Sequence, residues 1–589
     1  MGRPPETAVS AGSRGPRWAR RPRWLATVLV GLGYLAASLA VHHAVLPRLT
    51  TATSGWVTSD AYLFAWWLNW VPWAVQHDLD PLFTNYQHYP VGVNAMWNTT
   101  VPALGLLFAP VTLAAGPVAT FNVAMVLGPV VSGLALVLAL HPYVSRLAPR
   151  AVAGLLYGFG PFMAAHLSVG HVNLVWALLP PVLLWAVHTI FVRRSATPLR
   201  DGALLGIAFA VQTGIYSQTV ALGALALVVT GVVLAIHRPG EVAARLSQVT
   251  RAALACVAAY AIVCAYPLYQ LLAGPARPRA QIRDPDRSGA DLANVVVPTE
   301  VTALRFPGGA ELLRGHAGEQ GGYAGVAVLA VLAVAVLATR NATARIAATV
   351  GAVLFVLSLG TTAVVLGHDT GVPLPWDLVG RIPLIAQAEA VRLQVFVALC
   401  VAVVVAVWLD HLAARPPGPR RTAAAALTAA ALAPWLPADT QVATPVAIPA
   451  FFTRSAPELL TDGDVAETVP RISGQWTGGA DPLLWQVASG MAYRTTGGYF
   501  IGSDATHDLL LEAPVGAFQQ GVDTIAEGGT PPAAAARTAA QELAAAGVTV
   551  VLVAERAGTD QRPVLAWTTR VTGTPGRKVD DVWVFPLVR

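Results

Sequence analysis

The segment 59–98, which follows the first long apolar run, is unusually rich in side chains that can do chemistry. Its acidic and tryptophan residues include Asp60, Asp78, Asp80, Trp66, Trp67, Trp70 and Trp73. Trp66, Trp70 and Trp73 repeat at helical spacing. Tryptophan favours the level of the lipid headgroups, because its ring is apolar while its N–H needs a polar partner. The pattern predicts a helix that lies along the membrane surface with a carboxylate at its start.

Asp60 is the candidate catalytic residue. A carboxylate at the outer boundary of the membrane could take a proton from an incoming hydroxyl group, and the low dielectric nearby is expected to raise its pKa. Alternatively, Ser59 and Asp60 cap the helix, since short polar side chains accept hydrogen bonds from the free N–H groups at a helix start. The two roles are compatible with each other.

Asp78 and Asp80 follow the same predicted helix and form a D-L-D pair that could bind a divalent cation such as Mg²⁺ or Mn²⁺. Helix capping or a turn at Asp80–Pro81 explains them equally well. The following loop, residues 85–94, is dense in hydrogen-bonding side chains. His88 and Asn94 within it could line a sugar pocket, or the loop could simply be solvated.

Two histidines flank a short polar turn with the sequence H-L-S-V-G-H, at His166 and His171. A spacing of five residues does not place both rings on one helical face, so a metal site is a weak hypothesis. As neutral hydrogen-bonding groups they could contact a phosphate or a sugar. Tyr216 and Gln218 on a neighbouring outer turn are weaker candidates of the same kind.

An arginine at an outer membrane boundary departs from the usual preference of basic residues for the cytoplasmic side, so Arg392 needs an anionic partner. Glu389 lies one helical turn away and could supply it. The alternative is a lipid-linked phosphate, which matches the planar guanidinium group, and we favour it. Glu319, in the preceding outer loop, could be a second site carboxylate or the first residue of a helix.

The composition indicates a membrane protein. Of the 589 residues, 55% are hydrophobic and 12% are charged, against about 25% charged residues in soluble domains. The net charge of +6 comes from arginines in short loops between apolar runs, where they orient a chain in the membrane. We therefore expect the lipid bilayer as a partner and no nucleic acid.

The apolar runs predict about eleven transmembrane helices between residues 24 and 436. The arginine-rich residues 1–23 are expected in the cytoplasm, and outer loops are expected at 47–117, 273–322 and 367–392. Residues 101–115 either span the membrane or form a re-entrant element that breaks at Gly116–Pro117; we favour the second. An odd number of spans places residues 437–589 outside the cell membrane.

Residues 437–589 have the character of a small extracytoplasmic α/β domain. Residues 531–547 predict a helix with proline in its first turn and Gly547 as its stop. Residues 548–554 and 579–587 predict strands. The three cysteines lie in apolar runs and are expected to be packing residues.

Five short motifs resemble a group of bacterial polytopic proteins in the GT-C class of membrane glycosyltransferases. They are D-A-Y-L-F-A-W-W-L-N-W from Asp60, D-P-L-F-T from Asp80, Y-P-V-G-V-N from Tyr89, S-V-G-H-V-N-L from Ser168 and R-T-T-G-G-Y-F from Arg494 to Phe500. A basic N-terminus, many spans and an outer C-terminal domain complete the resemblance.

The resemblance implies transfer of a sugar from a polyprenyl-phosphate donor to a cell-envelope glycan, lipid or protein on the outer face. The class's first-loop carboxylate would correspond to Asp60, as base or metal-associated residue, and its donor-phosphate arginine most plausibly to Arg392. A D-x-D motif is missing unless Asp78 and Asp80 serve, which leaves metal dependence open.

Two other functions compete with this one. A lipid or oligosaccharide transporter would place ionisable residues in the middle of its spans, whereas here they gather at the outer ends. A non-catalytic scaffold for envelope assembly would tolerate the loss of Asp60, and an enzyme that uses its carboxylate would not.

Overall fold

The computed structural model describes residues 23–56, 59–438, 442–475, 478–556 and 558–587. The predicted cytoplasmic segment 1–23 therefore lies outside the described residues, apart from Arg23 at the start of the first helix. Beyond it the chain folds into a predominantly helical part up to residue 438 and a mixed α/β part after residue 442.

Eight helices form the first half of the helical part. They are α1 (Arg23–Val41), α2 (Ser59–Gln76), α3 (Pro102–Leu107), α4 (Ala109–Ala139), α5 (Leu147–Phe159), α6 (Pro161–Ser168), α7 (Val172–Val175) and α8 (Leu179–Ala186), which continues as a π-helix over Val187–Val192. Strands β1 (Ala52–Ser54), β2 (Phe83–Thr84) and β3 (Val93–Asn94) lie in the loops.

The second half contains ten helices and one hairpin. The helices are α9 (Pro198–Thr213), α10 (Ser217–His237), α11 (Pro239–Val263), α12 (Ala265–Ala273), α13 (Gly309–Leu312), α14 (Val326–Thr339), α15 (Ala342–Ser358), α16 (Trp376–Val379), α17 (Gln394–Ala414) and α18 (Pro419–Leu432). The hairpin pairs β4 (Thr362–Val365) with β5 (His368–Pro373).

Among the described residues, seven helical segments are long and apolar enough to cross a membrane, and α14 and α15 are shorter apolar helices. The chain is therefore a multi-pass membrane protein, although about eleven spans were expected. The expected break at Gly116–Pro117 is confirmed: Gly116 has φ +82° and interrupts α4, a conformation that glycine adopts without steric cost. The kink at Gly116 thus separates α3 and the first two turns of α4 from the long remainder of α4.

Two helix boundaries do not coincide with the ends of the apolar runs. Residues 239–251 are polar in composition but form the first half of α11, where Glu241 pairs with both Arg238 and Arg245 on the helix surface and stabilises the helix. The helix before the outer loop expected from residue 367 ends at Ser358, and the β-branched residues that follow form β4, as their strand preference explains.

The described residues of the α/β part form six helices: α19 (Ala450–Arg454), α20 (Ala456–Leu459), α21 (Asp481–Ala488), α22 (Ala517–Ala526), α23 (Ala533–Ala545) and α24 (Arg562–Thr572). Its strands are β6 (Ala443–Pro445), β7 (Val465–Val469), β8 (Arg494–Thr495), β9 (Tyr499–Gly502), β10 (Leu510–Glu512), β11 (Val550–Ala554), β12 (Arg577–Val579) and β13 (Val582–Pro586). The predicted helix and both predicted strands correspond to α23, β11 and β13.

A five-stranded sheet in the order β12–β13–β11–β7–β8 organises this part. β11 pairs in parallel with β7 and antiparallel with β13. All five residues of β11 are buried, which explains its unbroken run of apolar side chains. Gly547 has φ +76° and forms the turn that ends α23 just before β11 begins.

The loop that follows α2 extends this sheet at its β8 edge. The N–H of Thr495 donates to the carbonyl of Tyr86, and the N–H of Tyr89 donates to the carbonyl of Thr495. β6 pairs with β1, which lies between α1 and α2. Apolar residues from the α/β part, including Ile472, Leu483, Met491 and Phe500, join the main core of the helical part. The two parts therefore share a core.

Helix α2 lies inside this shared core. Trp66, Trp67 and Trp70 are almost fully buried, and the Trp66 N–H donates to the side-chain oxygen of Gln486 at 2.8 Å. The expectation that these tryptophans lie among lipid headgroups was wrong, because protein groups surround the rings and the α/β part provides the polar partner of Trp66. Trp73, which is half-buried, stacks on His77 near the helix end.

Candidate active site

Asp60 lies in the first turn of α2 and contacts two other segments of the chain. Its Oδ2 lies 3.1 Å from Nε2 of His171, between α6 and α7. Its Oδ1 accepts a hydrogen bond of 2.7 Å from the hydroxyl of Tyr499 in β9. The Asp60 side chain is 33% exposed, so it remains accessible to a substrate.

These two contacts set the charge of Asp60. Burial alone would raise the pKa of this carboxyl group, but His171 and Tyr499 stabilise the ionised form more strongly and lower the pKa to about 2. The expectation of a raised pKa was therefore wrong. Asp60 is a carboxylate at neutral pH and can accept a proton from a hydroxyl group.

The two histidines of the H-L-S-V-G-H turn meet each other as well as Asp60. Nδ1 of His166 lies 3.0 Å from Nδ1 of His171, which requires one of these nitrogens to carry the proton. Beside an ionised Asp60, Nε2 of His171 carries a proton and donates it. His171 therefore orients the carboxylate, and His166 in turn orients His171.

A second group of charged side chains surrounds Arg392, just before α17. The Arg392 side chain is only 8% exposed. It contacts Glu319 through Nε at 3.1 Å and Nη2 at 2.5 Å, and Nη2 lies 2.6 Å from Glu389 Oε2. Arg392 also contacts the hydroxyl of Tyr216 at 3.4 Å. The ion pair with Glu389 considered from the sequence is thus present, and Glu319 adds a second one.

His316 links the two groups. Its ring centroid lies 6.0 Å from that of His171, and its Nε2 lies 3.4 Å from Glu319 Oε1. The hydrogen bond with Glu319 raises the pKa of His316, against the opposing effect of burial. Burial would raise the pKa of Glu319, but Arg392 and His316 hold it well below its usual range. Glu319 is therefore ionised.

Gly318 allows this close approach. A β-carbon at Gly318 would lie 2.9 Å from the His316 ring and 3.2 Å from the His171 ring. Carbon atoms do not pack at the shorter of these distances, so any other residue would push the short 3-10 turn Ala317–Glu319 away from the histidines.

The row of charged groups reaches the polar end of a large cavity, which we call its mouth. Nε of Arg283 lies 3.3 Å from Glu389 Oε1, and the Arg283 side chain is 43% exposed. Arg283, Tyr216 and Gln218 line one end of a cavity of about 850 Å³. The remaining wall is almost entirely apolar and runs between α9, α10 and α11. Ionisable side chains therefore lead from Asp60 to an apolar cavity.

The other residues predicted to form the site do not join this row. Asn94 is fully buried and donates to the carbonyl groups of Gln270 and Pro275, so its amide holds the loop against α12. His88 is buried and its ring packs against Phe500. Within the described ranges, the hydrogen bonds of these side chains do not connect them to Asp60.

Asp78 and Asp80 do not form a metal site with Asp60. They lie beyond the far end of α2, about 27 Å along the helix from Asp60. Asp78 is exposed, and Asp80 accepts hydrogen bonds from Tyr266, Gln270 and the N–H of Leu82. In the parts of the chain that the structure describes, no group of three or more histidine, cysteine, aspartate or glutamate side chains is arranged to hold a metal ion.

Three residues of the row were not among the predicted site residues: Tyr499, His316 and Arg283. Tyr499 lies in the R-T-T-G-G-Y-F motif, which could have indicated it. His316 precedes Glu319 by one turn, a spacing that permits the observed pair. Arg283 lies in a loop with several other arginines, and no feature of the sequence distinguishes it.

Comparison with solved structures identifies the fold. A match that covers 97% of the chain is the arabinofuranosyltransferase AftD from Mycobacteria, with a TM-score of 0.56 and 16% identity. A second structure of AftD, in a variant form, gives a TM-score of 0.52 and 15% identity. The chain has a GT-C fold. The predicted GT-C-like, mainly helical membrane fold is thereby confirmed, whereas the expected number of about eleven spans is not. At these identities the similarity concerns the fold alone.

The matched region covers 40% of AftD, so the chain spans about two-fifths of the length of that protein. The oligosaccharyltransferase AglB from Archaeoglobus fulgidus, tethered to an acceptor peptide, matches 96% of the chain and 75% of AglB with a TM-score of 0.49 and 12% identity. No protein-family model and no curated protein matches the sequence.

Proposed function

We propose that this protein is a membrane glycosyltransferase that moves a sugar from a polyprenyl-phosphate donor to a cell-envelope glycan, lipid or protein acceptor. The observation that carries the proposal is the row of ionisable side chains from Asp60 to the mouth of the apolar cavity. A lipid-linked sugar phosphate needs an apolar site for its tail, cations near its phosphate and a proton acceptor near its sugar. The row and the cavity supply all three.

In the proposed reaction a hydroxyl oxygen of the acceptor attacks the anomeric carbon of the donor sugar. The bond between that carbon and the phosphate oxygen breaks, and polyprenyl phosphate leaves with the electron pair. The hydroxyl proton passes to Asp60, which is in its ionised form because its pKa lies near 2. His171 and Tyr499 hold Asp60 in place. A positioned carboxylate of this kind contributes about 10²- to 10⁴-fold in rate.

The donor phosphate is proposed to bind beside Arg283 and Arg392. Arg283 is the more exposed of the two and lines the cavity mouth. Arg392 is buried between Glu319 and Glu389, so a phosphate that contacts it directly must replace one of these carboxylates. Glu389 contacts both arginines, and its displacement would free them together. Burial raises the pKa of Tyr216 to about 12, so its hydroxyl can donate to the same phosphate.

The site is proposed to face the extracytoplasmic side, with the N-terminus in the cytoplasm and the α/β part outside. Arginines at 193, 194 and 200 follow the span that ends at Val192, and the tendency of basic residues to stay inside orients that end toward the cytoplasm. The Asp60 row lies at the opposite ends of the spans. Among the described residues, no group of three or more histidine, cysteine, aspartate or glutamate side chains that could hold a divalent cation lies beside Asp60, and the proposed reaction is written without one.

The test is transfer of a labelled sugar in membrane vesicles from a panel of polyprenyl-phosphate donors. An arabinofuranosyl donor comes first, because AftD is an arabinofuranosyltransferase. We expect Asp60→Asn to lower transfer by about 10²-fold or more at matched protein levels. Asp462→Asn changes an exposed carboxylate of the α/β part and is the matched control.

Transfer at the wild-type rate by Asp60→Asn would remove Asp60 as the proton acceptor. An absence of transfer by the wild-type protein from every donor would overturn the glycosyltransferase proposal and favour transport or scaffolding.

A further inference from the structure

The apolar cavity extends from its polar mouth deep into the membrane. Its lining follows one face of α10 from Ser217 to Leu234, and one face of α11 from Tyr260 back to Val242. At 1.5 Å per residue, these walls are about 26 and 27 Å long. Both helices belong to the segments long and apolar enough to cross a membrane. The cavity therefore reaches from the outer end of the spans almost to their other end.

This length exceeds one lipid leaflet. The hydrocarbon core of a bilayer is about 30 Å thick, so one leaflet accounts for about 15 Å. A bilayer phospholipid tail that enters at the mouth would end near the middle of the cavity. A tail that enters at the mouth reaches the inner half, which includes Phe191, Leu234 and Leu246, only if it continues past the midplane.

We infer that the inner half of this cavity selects donors by the length of their lipid tail, and that its ligand is a long polyprenyl chain with its phosphate at the Arg283 mouth. The inference rests on the proposed function, which supplies the polyprenyl-phosphate donor. It adds a specificity site in the inner half of the membrane, far from Asp60.

Small residues on α10 keep the cavity open. Ala221 and Ala224 line its outer half and Gly231 lines its inner half. Gly231 has φ in the ordinary helical range, and a β-carbon built there meets no atom within 4 Å. A larger side chain at Gly231 therefore enters the cavity without displacing the backbone. Gly231 lies about 21 Å along α10 from its start, so a tail that stops at the midplane does not reach it.

The test measures binding of two lipids, farnesyl phosphate and decaprenyl phosphate, to the purified full-length protein in lipid nanodiscs. Gly231→Leu should weaken binding of decaprenyl phosphate about tenfold, because contacts of several buried methylene groups are lost. Binding of farnesyl phosphate should change less than about twofold, since its short tail ends above Gly231. Val228→Phe fills the cavity near the midplane and should give the same selectivity if Gly231→Leu folds poorly.

Gly33→Leu is the matched control. Gly33 lies on α1 away from the cavity, and a β-carbon there also meets no atom within 4 Å. It should leave the affinities for both lipids unchanged. Ala221→Trp, near the mouth, should weaken binding of both lipids, because each tail must pass it.

Equal affinity changes for the two lipids in Gly231→Leu and Val228→Phe would overturn the inference. Its failure is separable from failure of the proposed function. Sugar transfer from both farnesyl and decaprenyl donors, without discrimination by these variants, would refute length selection alone. Length-selective binding of the lipid phosphates, without sugar transfer from any donor, would refute the glycosyltransferase proposal alone.

Discussion

Replacing Arg392 with methionine removes the guanidinium group that contacts both Glu319 and Glu389. Methionine preserves much of the volume and the unbranched stem. The two carboxylates are each only 13% exposed, so they would face each other with little solvent to screen them. Breaking a buried ion pair by removing one partner costs about 3–5 kcal/mol when the remaining charge has no other partner. His316 still contacts Glu319 and Arg283 still contacts Glu389, so we expect Arg392→Met to destabilise the protein by up to about that amount.

A triple variant separates charge burial from the loss of the arginine itself. Arg392→Met combined with Glu319→Gln and Glu389→Gln has no uncompensated carboxylate in this cluster. It should recover most of the lost stability, since replacing a whole buried ion-pair group by neutral residues is often close to neutral. Arg146→Met is the control, because its partner Asp410 is partly exposed. It should cost less than about 1 kcal/mol.

Stability can be followed by denaturant titration in mixed micelles, with the fluorescence of the 17 tryptophans as the signal. Arg392→Met with the same midpoint as wild type would refute the reasoning about the buried pairs. The triple variant also tests the role of Arg392 in donor binding. If Arg392 binds the phosphate, this variant regains stability but still needs more donor for half-maximal transfer. Normal donor dependence in a stable triple variant would limit Arg392 to holding the fold.

Two further predictions concern Asp60 and the junction of the two parts. The low pKa of Asp60 stabilises the folded state at pH values above 3.8, the ordinary pKa of this group, and the contribution is lost as the pH falls toward 2. Tyr499→Phe removes one hydrogen-bond donor to Asp60, so the acid limb of the variant's pH–rate profile should lie at higher pH than that of the wild type. Coincident profiles would contradict this. Gln486 donates hydrogen bonds to the carbonyls of Tyr86 and Tyr493 and accepts one from Trp66. Gln486→Leu should therefore lower the free energy of unfolding, measured by thermal unfolding, by about 2–4 kcal/mol. Gln520 is exposed, and Gln520→Leu should lower it by less than about 0.5 kcal/mol.

Much of the fold could be predicted because each element carries its own periodicity. The buried strand β11 is an unbroken apolar run, and the break at Gly116–Pro117 is indicated by those two residues themselves. The environment of α2 could not be predicted in the same way. Its tryptophans suit a membrane interface and a protein core equally well, since both offer an apolar surface with polar partners nearby. Only the packing of the α/β part against α2 decides between them.

The candidate site shows the same division. Asp60 could be found because a carboxylate stands at a boundary between polar and apolar sequence. Its partner Tyr499 lies 439 residues away, and no local pattern connects the two. The same holds for Arg392 and Glu319, which are 73 residues apart. The pKa of Asp60 was predicted in the wrong direction because burial was visible in the sequence while the two hydrogen bonds that outweigh it were not.

The charges of the row predict how a donor must bind. Three carboxylates, on Asp60, Glu319 and Glu389, face two guanidinium groups, so a donor phosphate adds negative charge to a cluster that is already anionic unless His316 is protonated. His316 faces Glu319, Glu389, Arg392 and His171, and its pKa is raised by Glu319. A bound phosphate would raise it further. Donor binding should therefore take up a proton at His316, and donor affinity should fall as the pH rises through the pKa of this histidine.

The measurement is the dissociation constant of decaprenyl phosphate between pH 5.5 and 8.5, that is, within about one to two pH units of the ordinary histidine pKa. His316→Gln should flatten the dependence, and an unchanged slope in that variant would show that another group takes up the proton.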